Sequence, residues 1–87
     1  MNKNAVMLRI LEEVQKNHKI PETNGDLESE NIIKELLENG CIYKGVIRYI
    51  GVIKANYYDK FSPSEEEGYI VSRDTVLKIY GIKLPPR

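Results

Sequence analysis

The junction at Asn39-Gly40, where an amphipathic helix meets a β-rich segment, constrains the fold of this chain more than any other feature. Upstream, the apolar pairs Ile32-Ile33 and Leu36-Leu37 recur one turn apart, which predicts a helix over Ser29–Glu38 with one buried face. A glycine just beyond the last turn can adopt the left-handed conformation that ends a helix. Downstream, Cys41–Ile50 is dominated by residues that favour strands. A helix that turns directly into a sheet indicates an α+β domain.

Two more helical segments are predicted before this junction. Over Asn4–Asn17, apolar residues fall at the i, i+3, i+4 and i+7 positions, namely Met7, Ile10, Leu11 and Val14, which predicts a first helix with one buried face. Between Pro21 and Glu28, the turn signal Asn24-Gly25 is flanked by helix-starting residues, so this stretch is predicted to hold a short second helix of one or two turns. The chain would then begin with three helical segments.

After the junction, the sequence predicts a small antiparallel sheet and a last helix. Ile42–Tyr58 predicts two strands with a break near Gly45 or Gly51. Residues 59–68 have the composition of an exposed loop, with a proline, small polar residues and three consecutive carboxylates. Tyr69–Val71 predicts a short return strand.

The last helix is predicted over Arg73–Tyr80, with Ser72 as its N-cap and Gly81 at its end. Its inward residues are predicted to be Val76, Leu77 and Tyr80. With 87 residues, the chain is expected to form one domain over 1–87, in which 82–87 is a tail.

Composition narrows the expected location. No apolar run approaches the ~18 residues that a membrane span needs, so no membrane partner is expected. The start of the chain lacks the pattern of a secretory signal, and the single Cys41 cannot form an internal disulfide. These features predict a folded protein in the cytoplasm.

Charge is balanced over the whole chain but unevenly placed. Residues 1–40 contain five basic and eight acidic residues, a net charge of −3, so residues 41–87 carry +3. Positions 44 to 60 contain one acidic residue, Asp59, and four basic residues: Lys44, Arg48, Lys54 and Lys60. The strands are therefore predicted to form a basic surface where a polyanion would bind, or a charged sheet edge that resists aggregation.

The predicted order of elements resembles the winged helix-turn-helix domains of many small bacterial and phage proteins. The resemblance rests on three segments: Ile10–Val14 in the first helix, Leu36–Ile42 at the helix exit, and Gly68–Thr75 at the return strand and last helix. In the second segment, Cys41 stands where the family has an aromatic residue. In the third, Val71-Ser72 replaces Leu-Thr and Thr75 replaces glycine.

This resemblance implies a winged-helix-like fold that binds duplex DNA and regulates transcription. In that family, the third helix enters the major groove and the wing contacts the backbone or the minor groove. Asn31 and Lys34 would contact the DNA bases or the backbone from the third helix. The strand residues Lys44, Arg48 and Lys54 would contact phosphates. The carboxylates of the third helix (Glu28, Glu30, Glu35 and Glu38) and of Glu65–Glu67 at the expected wing tip oppose this function, because they repel phosphate.

The alternative is a protein-interaction module, either as a homodimer or as an adaptor in a phage or regulatory assembly. The chain has six tyrosines and no tryptophan, more tyrosines than a small core can bury with satisfied hydroxyls. Tyrosine is enriched at interfaces, although alternate tyrosines along a strand can also simply cover the sheet. Tyr57 and Tyr58 are the expected interface residues, because neighbouring strand residues point to opposite faces.

Catalysis is not expected. His18 and Cys41 are single residues of their types, so one chain cannot assemble a zinc site or a Cys-His pair with a spare ligand. His18 is predicted at a helix C-terminus and Cys41 as a small buried residue. Glu65–Glu67 lack the spacing of a calcium loop, and no glycine-rich phosphate loop is present. We therefore expect no metal and no cofactor.

Overall fold

Three helices and a two-stranded antiparallel sheet make up the chain in the computed structural model, which describes residues 3–55 and 58–85, and side chains at 3–48 and 65–85. In chain order they are α1 (Lys3–Asn17), α2 (Leu27–Glu38), β1 (Ile42–Ala55), β2 (Tyr58–Val71) and α3 (Arg73–Tyr80). The α+β class is confirmed. The prediction of three helical segments before the strands is wrong, because two helices precede them.

The core lies mainly between α1 and α2 and extends to the base of the sheet. α1 confirms the first predicted helix and buries the apolar stripe expected from its spacing. The buried apolar residues are Val6, Met7, Ile10, Leu11, Val14, Ile32, Ile33, Leu36, Cys41, Ile42, Val76 and Leu84. Cys41 is fully buried, as predicted. None of the described helices has the length and apolar character that a membrane crossing would require.

The short second helix predicted between Pro21 and Glu28 does not form. Asn24 and Gly25 have φ angles of 51° and 84°, and two consecutive left-handed residues cannot belong to a right-handed helix. Asp26 then caps α2 with extended backbone, and its Oδ2 accepts a 2.6 Å hydrogen bond from Ser29 Oγ. The turn signal in this segment outweighs its helix-starting residues.

The exit from α2 has the geometry that the sequence predicts. Gly40 is left-handed, with φ 74°, and donates its N–H to the Leu37 carbonyl at 3.2 Å. Cys41 donates its N–H to the Leu36 carbonyl at 2.9 Å. This pair of bonds is a Schellman motif, which satisfies the last helical carbonyls and directs the chain into β1.

The two strands form one long ribbon, which corrects two predictions. β1 is continuous through Gly45 and Gly51, where a break was expected, and β2 includes residues 59–68, which were predicted as a wing loop. The register is unbroken from Ile42 opposite Val71 to Ala55 opposite Tyr58. Pairing with a long β1 gives residues 59–68 hydrogen-bond partners that local composition does not reveal.

Pro63, the strongest loop signal in that segment, fits the ribbon because of its position. Tyr69 donates its N–H to the His18 carbonyl at 2.8 Å, so this N–H points away from β1. In an antiparallel pair the outward direction recurs every second residue, which places position 63 among the outward positions of β2. A proline there removes no hydrogen bond from the ladder.

The last helix is confirmed at both ends. Ser72 is the N-cap residue of α3, and Gly81 ends the helix with φ 68°. Val76 is buried as predicted, whereas Leu77 is exposed and its predicted inward position is wrong. Leu84, in the segment predicted as a tail, is buried, and its carbonyl accepts a 2.9 Å bond from Arg73 Nη2.

Candidate interaction surface on the ribbon

His18 fixes the base of the ribbon to the end of α1. It follows the last residue of α1 with left-handed backbone, φ 57°, and donates its N–H to the Val14 carbonyl at 2.8 Å. Its own carbonyl accepts the Tyr69 N–H, and its Nδ1 lies 3.2 Å from the Tyr69 carbonyl oxygen. Both outward backbone groups of Tyr69 are therefore occupied by one residue.

Three exposed side chains of β1 share one face of the ribbon. Lys44, Val46 and Arg48 alternate along the strand, so they lie on the same face, and each is exposed. Val46 is 54% exposed although it is apolar. Of the predicted phosphate-binding residues, the structure thus brings Lys44 and Arg48 onto one surface with an apolar residue between them.

The three consecutive glutamates lie in β2 and not at the tip of a wing loop, and two of them, Glu65 and Glu67, share the face of the basic surface. The register pairs Glu65 with Arg48, Glu66 with Ile47 and Glu67 with Val46. Arg48 Nε is 3.1 Å from Glu65 Oε1, and both side chains are largely exposed, so the ion pair contributes little to stability. These carboxylates reduce the positive potential along this part of β1.

A groove of about 350 Å³ separates the ribbon from the segment after α1. Its lining mixes both signs of charge: Asn17, His18, Lys19, Ile47, Arg48, Glu66 and Glu67. A groove with this lining does not present a uniformly basic surface to a polyanion.

The two α2 residues predicted to contact DNA lie apart from Lys44 and Arg48 of β1. Asn31 and Lys34 are exposed on α2, whose outer side also exposes three carboxylates, those of Glu28, Glu30 and Glu38. Among the residues that the structure describes, no hydrogen bond or ion pair joins Asn31 or Lys34 to β1. The acidic character predicted for this helix surface is therefore retained.

The remaining predicted site residues fall where side chains are not described. Lys54 belongs to β1 and pairs with Asp59 in the register, and Tyr58 begins β2 opposite Ala55. Tyr57 lies outside the described residues. The expected phosphate contact at Lys54 and the expected interface at Tyr57 and Tyr58 stay predictions.

A polar cluster that the sequence did not reveal joins the three helices. Glu35 Oε2 accepts a 2.9 Å bond from the Tyr80 hydroxyl, and Glu35 Oε1 lies 3.2 Å from Lys3 Nζ. Asn39 Nδ2 donates to the Tyr80 hydroxyl at 2.9 Å. The hydrogen bond from Tyr80, and next in size the bond from Lys3, lowers the pKa of the Glu35 carboxyl. The pKa of the Tyr80 hydroxyl is raised, and burial is the largest cause.

Replacement of Tyr80 by phenylalanine is expected to lower the free energy of unfolding by about 1 kcal/mol at neutral pH, because the hydroxyl bonds are lost. The depressed pKa of Glu35 means that its ionised form stabilises the fold above its unfolded pKa and that this contribution is lost as pH falls through the folded value. The difference between the variant and the natural protein should therefore shrink below the ordinary pKa of 4.5. This difference in the free energy of unfolding is measured by urea unfolding at several pH values, monitored by circular dichroism.

Tyr43→Phe is the matched control for this prediction. Tyr43 is exposed, and no described residue hydrogen-bonds its hydroxyl. Its loss should leave stability nearly unchanged at every pH. Equal losses in the two variants, or a Tyr80→Phe loss that does not depend on pH, would contradict the role of Glu35.

The described residues offer little for redox or metal chemistry. Burial, and secondarily the charge of Glu35, raises the pKa of the Cys41 thiol, which disfavours the reactive thiolate. Within the ranges that the structure describes, no three His, Cys, Asp or Glu side chains are grouped as metal ligands would be.

Comparison with known proteins identifies no relative: no family model matches the chain, and no significant match occurs among curated proteins or solved structures.

Proposed function

We propose that this chain is a noncatalytic protein-interaction module that contacts its partner through the ribbon. The observation that carries the proposal is the register of β1 and β2, which sets Glu65–Glu67 against Val46–Arg48. A phosphate backbone would meet carboxylates there as well as the basic side chains. The exposed Val46, and the exposed Tyr43 on the opposite face of β1, favour contact with protein.

The scaffold is proposed to be a winged-helix variant that lacks the second helix. The backbone bond between Tyr69 and His18 supports this proposal, because it attaches the segment after α1 to the outer edge of β2. A cytoplasmic location belongs to the same proposal and is supported by Cys41, which is buried as a free thiol.

Binding of duplex DNA in transcription regulation is the second candidate. It is favoured by the exposed Lys44 and Arg48 on one face of β1 and by Lys19, which lines the groove beside Arg48. Asn31 and Lys34 would add contacts from α2. This candidate requires that these cations outweigh the nearby carboxylates of Glu65–Glu67.

A paired binding experiment separates the two candidates. Fluorescence anisotropy should show no saturable binding of a labelled mixed-sequence duplex at about 50 or about 200 mM salt. Phosphate contacts lose most of their affinity over about this range of salt concentration. Selection from a displayed random-peptide library should instead yield peptides whose binding is confirmed by calorimetry. Duplex binding that falls steeply with salt, with no peptide selected, would overturn the proposed function in favour of DNA recognition.

A further inference from the structure

The outer edge of β1 is open where its side chains are described. Because the Tyr69 N–H points outward, its partner Lys44 also directs its backbone N–H and C=O away from β2, and the same holds for Val46 and Arg48. The bond from Ser72 N–H to the Cys41 carbonyl, 2.8 Å, fits the same alternation. Within the described part of the chain, nothing bonds these outward groups.

The outer edge of β2, by contrast, is blocked at two places. His18 occupies both outward backbone groups of Tyr69. Pro63, at another outward position, has no N–H to donate. Unpaired strand edges are templates for an added strand, and in the described part of the ribbon the edge of β1 is the more suitable of the two.

We propose that the outer edge of β1 at Lys44–Arg48 binds an extended segment of a partner protein as an added strand. This proposal rests on the proposed function and specifies its site. The segment carries two carboxylates four positions apart with an apolar residue midway, because it faces Lys44, Val46 and Arg48 in turn. Main-chain bonds give such a complex its affinity, and the facing side chains give it specificity.

The existing ion pair of Arg48 does not prevent this exchange. Arg48 and Glu65 are both largely exposed, so their contact is weak and a carboxylate of the added strand can replace it. Lys44 has Tyr69 as its cross-strand neighbour, which offers no competing carboxylate. An added strand would lie on the side of β1 away from β2, so β1 would separate its carboxylates from Glu65 and Glu67.

A second copy of this chain fits the edge poorly. Antiparallel pairing of β1 with its copy about Val46 would set Lys44 opposite Arg48 of the copy, and like charges directly opposite are unfavourable. The β2 edge of a copy carries Glu65 and Glu67, but it is blocked by His18 and Pro63. A different protein is thus the occupant that the charges favour.

The test uses the full chain and the synthetic peptide acetyl-Thr-Glu-Thr-Val-Thr-Glu-Thr-amide. In a two-dimensional NMR titration, the amide signals of Lys44, Val46 and Arg48 should shift and their hydrogen exchange should slow. Gly45 and Ile47, whose amides point toward β2, should change less. The same peptide with lysine in place of glutamate is the control and should produce no saturable shifts.

Protein variants test the charges. Lys44→Glu combined with Arg48→Glu should weaken peptide binding at least tenfold, whereas Lys78→Glu, at an exposed position of α3, should leave it unchanged. Two N-methylated peptides test the backbone, one methylated at the odd positions and one at the even positions. Methyl groups on the edge that faces β1 should abolish binding, and those on the other edge should not.

Several results would overturn the proposal. These are no saturable binding of the acidic peptide, shifts that map away from β1, equal binding of both N-methylated peptides, or dimerisation through this edge in sedimentation. Library peptides that bind elsewhere on the protein would overturn the edge proposal and leave the proposed function standing. Failure of the whole library together with duplex binding would instead overturn the proposed function.

Discussion

Replacing Leu36 by alanine should lower the free energy of unfolding by about 2–5 kcal/mol. Leu36 is 0% exposed on the core face of α2, and its carbonyl accepts the Cys41 N–H in the motif that leads into β1. The truncation leaves a cavity where the helix turns into the ribbon. Small domains are stable by only about 5–15 kcal/mol, so this loss is a large fraction of the total.

Leu27→Ala is the matched control, because the same substitution is made in the same helix at a residue that is 71% exposed. Its effect should stay within about 0.5 kcal/mol. Urea unfolding of both variants, followed by far-ultraviolet circular dichroism, gives the comparison. Similar losses at the two positions would mean that α2 does not present this face to the core.

Replacing Gly68 by alanine should lower the free energy of unfolding by about 1–3 kcal/mol, the range for overpacked sites. A methyl group at Gly68 would contact the end of the Ile47 side chain, which can rotate away. It would also lie 2.9 Å from the His18 carbonyl oxygen and 3.1 Å from the His18 Cβ. The first of these is a backbone atom that already accepts the Tyr69 N–H, so the added methyl must separate β2 from the end of α1.

Gly45→Ala is the control, because Gly45 pairs with Gly68 across the ribbon. The two nearest atoms to a Cβ at Gly45 belong to the end of the Ile70 side chain, which can rotate away. Thermal unfolding should show a clearly larger decrease for Gly68→Ala than for Gly45→Ala. Equal decreases, or a larger one at Gly45, would contradict the close approach of β2 to His18.

The elements that the sequence predicts correctly are those fixed by local signals. The apolar stripe of α1, the glycine exit from α2 and the Ser72 and Gly81 ends of α3 each depend on residues within a few positions of one another. Such patterns are readable from one sequence, because the physics that sets them is equally local.

Apart from the second helix, which the local turn at Asn24 and Gly25 prevents, the errors concern contacts between distant segments. Residues 59–68 have loop composition, but β1 supplies their hydrogen bonds, and Pro63 is accommodated because it falls at an outward position. At Leu77, helical spacing favours an inward position, whereas the side chain is exposed. Spacing gives the periodicity of a short helix, but not which of its faces will meet the core.

The candidate surface was predictable only in part. The distribution of charge along the sequence predicts Lys44 and Arg48, and alternation along a strand places them on one face. The sequence does not reveal that Glu65–Glu67 lie opposite Val46–Arg48, because this pairing depends on the strand register. The bonds between His18 and Tyr69 and between Tyr80 and Glu35 join residues more than 40 positions apart, and no local pattern marks them.

The strand register determines both the reduced positive potential of the basic surface and the open edge of β1. Nuclear Overhauser effects between α-protons in D₂O test it most directly, since α-protons of facing residues are closest in the pairs without hydrogen bonds. The register predicts strong cross-peaks from Lys44 to Tyr69, from Val46 to Glu67 and from Arg48 to Glu65. Random-coil shifts for Glu65–Glu67 without these cross-peaks, or cross-peaks displaced by one or more residues, would show that β1 and β2 are not paired in this register.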